Sequence, residues 1–202
     1  MAVQEFLAMF AMCAPQVHPL TMQAIVSAES DYKVYALNVN GAETQPLPQS
    51  NRKDATALLK NLLAEGKSVD VGLAQINSKN FEWVGLTPEN AFDPCPNISA
   101  AAQILTANYE SAAKRLPSEE ALRAALSAYN TGNETRGITN GYVSRVESRA
   151  NYIVPAIGES NAEEPTNAPV KAVRLGKKNT NESSWSTFQR RGDRPWDVYD
   201  RK

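Results

Sequence analysis

The sequence predicts a mainly α-helical domain over residues 1–157, with at most a small β-hairpin, and a disordered tail over residues 158–202. Three observations carry this. Apolar residues recur at helical spacing through most of the first 157 positions. Strand-like composition is confined to residues 34–39. Beyond residue 157 aliphatic side chains thin out, and Asn, Ser, Pro and basic residues replace them. Such a segment cannot bury enough apolar surface to offset the entropy of ordering it.

Residues 6–14 are apolar and read as a first amphipathic helix. A weak signal h-region is the alternative, but no Lys or Arg precedes it, and Glu5 stands where a positive n-region belongs. Met22, Ile25 and Val26 mark a short helix ending near Glu29 and Ser30, with Pro19 in its first turn. From Asp54 to Glu65 the leucines 58, 59, 62 and 63 fall at helical spacing, and Gly66 is a stop signal. Asp93 and Pro94 open a long helix carrying Ile98, Ala102, Leu105, Tyr109 and Ala112. Pro117 and Ser118 separate it from another, through Leu122, Ala125, Leu126 and Tyr129, which stops near Gly132. Tyr142, Val146, Ala150 and Ile153 mark a last helix. Loop signals cluster at Asn40-Gly41, residues 46–50, Gly72 and residues 131–141. The tail holds Pro165, Pro169, Arg174, Lys177, Lys178, the Arg190-Arg191 pair and two tryptophans, Trp185 and Trp196. Exposed tryptophans and arginines are residue types that anchor interfaces, so the tail is a candidate partner-binding segment.

The chain has 21 basic and 22 acidic residues, a net charge of -1. That balance gives no global field to draw in nucleic acid or an anionic membrane. No run approaches the roughly 18 apolar residues of a membrane helix. The two cysteines, Cys13 and Cys95, fit no zinc spacing, and a single histidine supplies no metal site. They are a candidate disulfide in an oxidising compartment, worth about 4 kcal/mol for a loop of that length. Two buried free thiols are the alternative.

Four segments carry possible chemistry. Glu29 closes an apolar helix, where partial desolvation raises a carboxyl pKa and keeps it protonated, as a general acid requires. By itself a glutamate at a helix end is more often a solvated surface residue. In Gly72-Leu73-Ala74-Gln75-Ile76-Asn77 the glycine permits close backbone approach, and the Gln75 and Asn77 amides suit N-acetyl sugars. Ala128-Tyr129-Asn130 ends a helix beside a Thr-Gly-Asn loop, and Gly141-Tyr142-Val143 opens the last helix. Each has an ordinary structural explanation when taken alone. His18, beside Pro19, is read as a cap or turn residue rather than a base.

In this order the four segments resemble the soluble lytic transglycosylases of the goose-type lysozyme superfamily, over about residues 10–155. The match extends to Cys13-Ala14-Pro15, the Leu-rich helix ahead of Gly72, and Phe92-Asp93-Pro94-Cys95. These resemble the transglycosylase subunits of type IV secretion and conjugation machines. The resemblance implies a lysozyme-like fold and a periplasmic enzyme acting on peptidoglycan glycan strands. No cofactor or metal is implied, and the tail would bind secretion-channel proteins. It implies Glu29 as the catalytic acid, with Ser30, Gly72, Gln75, Asn77, Tyr129, Asn130 and Tyr142 around the substrate. Two positions depart from the family pattern: Ala74 replaces the usual Met, and Asp31-Tyr32-Lys33-Val34 lacks the frequent Asn-Pro.

A glycosidase ordinarily needs two carboxylates. The resemblance implies instead that the substrate's N-acetyl oxygen stabilises the oxocarbenium-like centre, with Gln75, Tyr129 and Asn130 holding the distorted sugar. Glu29 then acts as base on the muramyl 6-hydroxyl, and a 1,6-anhydro end results. Two rivals stay open: a lysozyme-type hydrolase whose water is activated by Asp70 or Glu43, and a non-catalytic wall-binding subunit. Asp70 adjoins the Gly72 segment but is expected to be a surface residue.

Overall fold

The structure, a computed structural model, describes residues 3–150, with side chains from residue 5 onward. The expected boundary at residue 157, the tail with Trp185 and Trp196, and Ile153 of the last helix lie outside the described residues. The elements in chain order are α1 (Val3–Cys13), α2 (Pro19–Glu29), β1 (Leu37–Val39), α3 (Arg52–Ala64), β2 (Val69–Val71) and β3 (Ile76–Asn77). They are followed by a 3₁₀ turn (Ser78–Asn80), α4 (Phe81–Val84), α5 (Pro94–Ala113), α6 (Ser118–Thr131) and α7 (Arg136–Thr139). The last helix among the described residues, α8, includes residues 142–150. The fold is mainly α, as the periodicity predicts.

Local chemistry accounts for the boundaries. His18 caps α2, its Nδ1 accepting from the Leu20 N–H at 3.2 Å, and Pro19 occupies the first turn, where its missing N–H costs nothing. Asn51 caps α3 through a bond from the Asp54 N–H at 3.0 Å. Gly132 ends α6 in the left-handed conformation, φ +66°. The long helix α5 is the centre of the core. Ile98, Ala100, Ala101 and Ala102 are fully buried, and they pack with Phe10 of α1, Met22 and Ile25 of α2, and Leu126 of α6 in one continuous cluster. Cys13 at the end of α1 is bonded to Cys95 in the first turn of α5, across 82 residues of sequence.

The small β element is a sheet in which three short antiparallel strands pair in the order β1-β2-β3. Asn38 stands opposite Asp70, and Asp70 opposite Asn77. The neighbouring register aligns Leu37, Val71 and Ile76. Because side chains alternate along a strand, the sheet has one polar row and one apolar row. The apolar row joins the core, and the polar row turns toward an open cleft.

Candidate active site

The turn from β2 to β3 organises the site. Leu73 and Ala74 at its tip are 1% and 0% exposed. A buried turn would leave backbone polar groups without water, so each needs a protein partner. Asn97 of α5, itself buried, supplies two of these bonds: its Oδ1 accepts from the Ala74 N–H at 2.8 Å, and its Nδ2 donates to the Val71 carbonyl at 3.0 Å. Ser30 Oγ donates to the Leu73 carbonyl at 2.7 Å. Tyr129 Oη donates to the Ala74 carbonyl at 2.7 Å. The turn thereby ties together the ends of α2 and α6. Gly72 makes this docking possible: its φ is +77°, and a Cβ there would lie 2.4 Å from Asn97 Nδ2.

Glu29 ends α2 with its carboxyl facing the cleft. Tyr142, fully buried at the start of α8, donates from Oη to Glu29 Oε1 at 2.6 Å. Burial pushes the Glu29 carboxyl up to about 7. The Tyr142 hydrogen bond opposes this, the Asp70 charge adds to it, and Arg145 opposes it more weakly. Arg145 also stands over the Tyr142 ring, 5.4 Å from its centroid. Tyr129 and Tyr142 both titrate well above the ordinary tyrosine range, chiefly through burial and then through the Glu29 charge, so both remain hydroxyl donors. Backbone strain gathers here as well. Among the described residues, the non-glycine ones with positive φ are Asp31 (51°), Tyr32 (63°) and Gln75 (49°), which follow Glu29 or end the buried turn. Tyr32 packs on Phe6, with ring centroids 4.8 Å apart, which holds the segment lacking Asn-Pro against α1.

The cleft has a volume of about 1210 Å³. Of the expected site residues, the structure brings Glu29, Gln75, Asn77, Tyr129 and Asn130 to its lining. Ser30, Gly72 and Tyr142 are not among the lining residues; they stand behind the turn or behind Glu29. Ala74 is likewise buried, so the missing Met side chain alters packing beneath the cleft rather than its surface. Gln75 Nε2 donates to the Gly72 carbonyl at 3.0 Å. Asn77 Nδ2 donates to Asp70 Oδ1 at 2.6 Å. Asp70, expected on the surface, is half-buried and lines the cleft. Glu43 is exposed and does not line it. Asn38, Asn40, Trp83, Asn108 and Arg145 also line it, and sequence reasoning assigned them nothing.

The transglycosylase SLT domain family matches residues 6–152. The chain belongs to that family. Membership makes it a peptidoglycan lytic transglycosylase, in agreement with the resemblance carried by the four motifs. Among its relatives, protein virB1 of Rhizobium radiobacter is 40% identical over 179 residues, covering 89% of this chain and 71% of that protein. Type IV secretion system protein virB1 of Brucella abortus biovar 1 is 35% identical over 189 residues, covering 87% and 79%. No solved structure matches the chain significantly. Among the described residues of this SLT domain, no helix is long and apolar enough to cross a membrane.

Proposed function

We propose that Glu29 is the general acid and then the general base of a lytic transglycosylase that cleaves the MurNAc–GlcNAc β-1,4 bond and leaves 1,6-anhydromuramyl ends. The observation that carries this is the state of its carboxyl: pushed up to about 7 by burial, it is substantially protonated at neutral pH and opens onto the cleft. The proton passes to the glycosidic oxygen as the bond to the muramyl C1 breaks. The substrate's acetamido oxygen stabilises the positive centre. Glu29, now ionised, takes the proton of the muramyl 6-hydroxyl as that oxygen closes on C1, and the carboxyl is restored. Positioning supplies much of the rate, because the attack is intramolecular. Gln75, Tyr129 and Asn130 stand on the lining where they would hold the acetamido group and the distorted ring. Ser30 and Gly72 contribute through the buried turn, and Tyr142 through its bond to Glu29.

The test is digestion of purified sacculi followed by mass spectrometry of the muropeptides. Wild type should release anhydro-ended products. Glu29→Gln keeps the shape but cannot donate the proton, so cleavage should fall at least about 10²-fold in a folded protein. Near wild-type activity of that variant would remove the assignment.

One observation favours a second reading. Asp70 faces the same cleft, close enough for its charge to raise Glu29's pKa. A carboxylate so placed could activate water, and the enzyme would then be a hydrolase. Free reducing ends in the same digest would establish that reading in place of the first.

The setting follows from the relatives, one of which is named as a type IV secretion system protein. The chain would act in the periplasm, where the Cys13–Cys95 bond persists, and open the wall locally for a secretion or conjugation channel. Its tail, residues 158–202, would bind channel proteins. A truncation after Gly158 should keep muropeptide release and lose secretion in cells. Lost cleavage in a folded truncate would move the domain boundary, and full activity in both assays would leave the tail without that role.

A further inference from the structure

Trp83 is 53% exposed, a large apolar surface left in water. It stands on α4, whose Phe81 and Val84 are buried and anchor that short helix to the core. Its Nε1–H donates to Asn80 Oδ1 at 3.4 Å. The indole has no other polar atom, so what remains for a ligand is its apolar aromatic surface. That surface lines the same cleft as Glu29, and Lys79, Asn80 and Asn108 are among the other lining residues. Trp83 carries no titratable group, so it can serve this cleft by contact but not by proton transfer. A cleft of about 1210 Å³ also exceeds the roughly 300–1,000 Å³ that encloses a drug-sized ligand. It has room for more than the ring being cleaved.

We propose that Trp83 is the platform of a separate sugar subsite in this cleft, which takes the C–H face of an N-acetylhexosamine ring of the glycan strand. A pyranose in its chair form has an apolar face and a rim of hydroxyl and acetamido groups. An aromatic plane bordered by amides matches both parts. Asn80 and Asn108 supply rim partners, and Asn80 also orients the indole. The subsite binds the strand and takes no part in the proton transfers. The inference rests on the reading of the cleft as a glycan site.

The experiment uses the full chain carrying Glu29→Gln, which stops turnover, and calorimetric titration with peptide-free glycan strands from peptidoglycan. Adding Trp83→Ala should weaken strand binding about 10-fold or more, the size of a central aromatic contact, while Trp83→Tyr stays within a few-fold. With Glu29 intact, Trp83→Ala should raise KM for strands by a larger factor than it lowers kcat. Strand binding indifferent to Trp83→Ala would overturn the subsite and leave the glycan reading standing. Equal loss in the Ala and Tyr variants, with a lowered melting temperature, would overturn it as well by making Trp83 a folding residue. A Glu29→Gln protein that binds no strands would instead remove the glycan reading itself.

Discussion

The two walls of the cleft are built on different physical terms. The helical wall presents Glu29 and Tyr129 from the ends of α2 and α6, with the buried Tyr142 of α8 behind Glu29; packing excludes water there and shifts each group's pKa upward. The sheet wall presents Asn38, Asp70 and Asn77 from strands of two or three residues, half-buried along the cleft, with Asn77 hydrogen-bonded to Asp70. A dry wall can hold a carboxyl protonated at neutral pH. A wet wall of amides can donate and accept along a sugar without that cost. On the proposed function, desolvation would assign proton transfer to the helical wall and leave the amides of the sheet wall free for sugar recognition. The buried turn from Gly72 to Gln75 joins the two walls, so their registry depends on a few backbone bonds.

The most damaging way to break the comparison is to break that joint. In Gly72→Ala the new methyl would meet Asn97 Nδ2 at 2.4 Å and the Ala91 carbonyl at 2.9 Å, at a φ of +77°. Asn97 is fully buried and already bonded to Val71, Ala74 and Ala91, so it has nowhere to retreat. The expected loss is about 2–4 kcal/mol of stability, together with loss of cleavage. Denaturant unfolding measures it, and a Gly72→Ala protein as stable as wild type would mean that the turn does not hold the walls together.

The dry wall carries a stability cost that Glu29→Gln should reveal. Glu29's folded pKa of about 7 lies above its ordinary value of 4.5, so between these the folded state binds more protons than the unfolded. Wild-type stability therefore falls as pH rises through that window, by roughly 3 kcal/mol, and the contribution is gone above it. Glutamine does not titrate. The variant should be more stable than wild type at pH 8, and the difference should shrink toward pH 4.5. Parallel stability curves for the two proteins would mean that the carboxyl is not desolvated.

The same contrast explains what the sequence could disclose. Helices α2, α3, α5 and α6 span 11 to 20 residues, long enough for apolar spacing to show. Helices α4 and α7 have four residues each, and β2 and β3 have three and two, too short for any period. The third strand was therefore illegible, and with it the polar row that brings Asp70 to the cleft. Glu29 stood out because its helix is apolar and its motif partners follow in order. Asn97 did not, because a polar residue in the first turn of a helix ordinarily signals nothing. Its importance comes from a turn whose bonded residues lie 23 and 26 positions earlier and whose burial only tertiary packing reveals.

Tyr142→Phe sharpens the comparison at the edge of the dry wall. The hydroxyl's bond to Glu29 lowers the carboxyl's pKa against the larger effect of burial. Removing it should raise that pKa, and the alkaline limb of the cleavage profile should move to higher pH. Loss of the bond also frees the carboxyl to turn, so activity at the optimum should fall about 10-fold, near the charged-bond value of roughly 1.5 kcal/mol. A reduced rate with an unmoved limb would show that Tyr142 orients Glu29 without tuning it.

The smallest effect asks whether the wet wall reaches the dry one. Asp70's charge raises Glu29's pKa across the cleft, and Asn77 holds the Asp70 carboxylate at 2.6 Å. Asp70→Asn removes the charge and keeps the shape of the polar row. Glu29 should then ionise more readily, so the alkaline limb should move to lower pH, opposite to the Tyr142→Phe shift. For a transglycosylase the rate on the acid side of the limb should change little, because protonated Glu29 is already the active form there. For a hydrolase that uses Asp70 to activate water, the rate should fall at least about 10²-fold at every pH, as expected for loss of a general base. One pH profile of this variant, read with the reducing ends it releases, therefore separates an electrostatic neighbour from a second catalytic carboxylate. An unmoved limb at unchanged rate would mean that the two walls act independently.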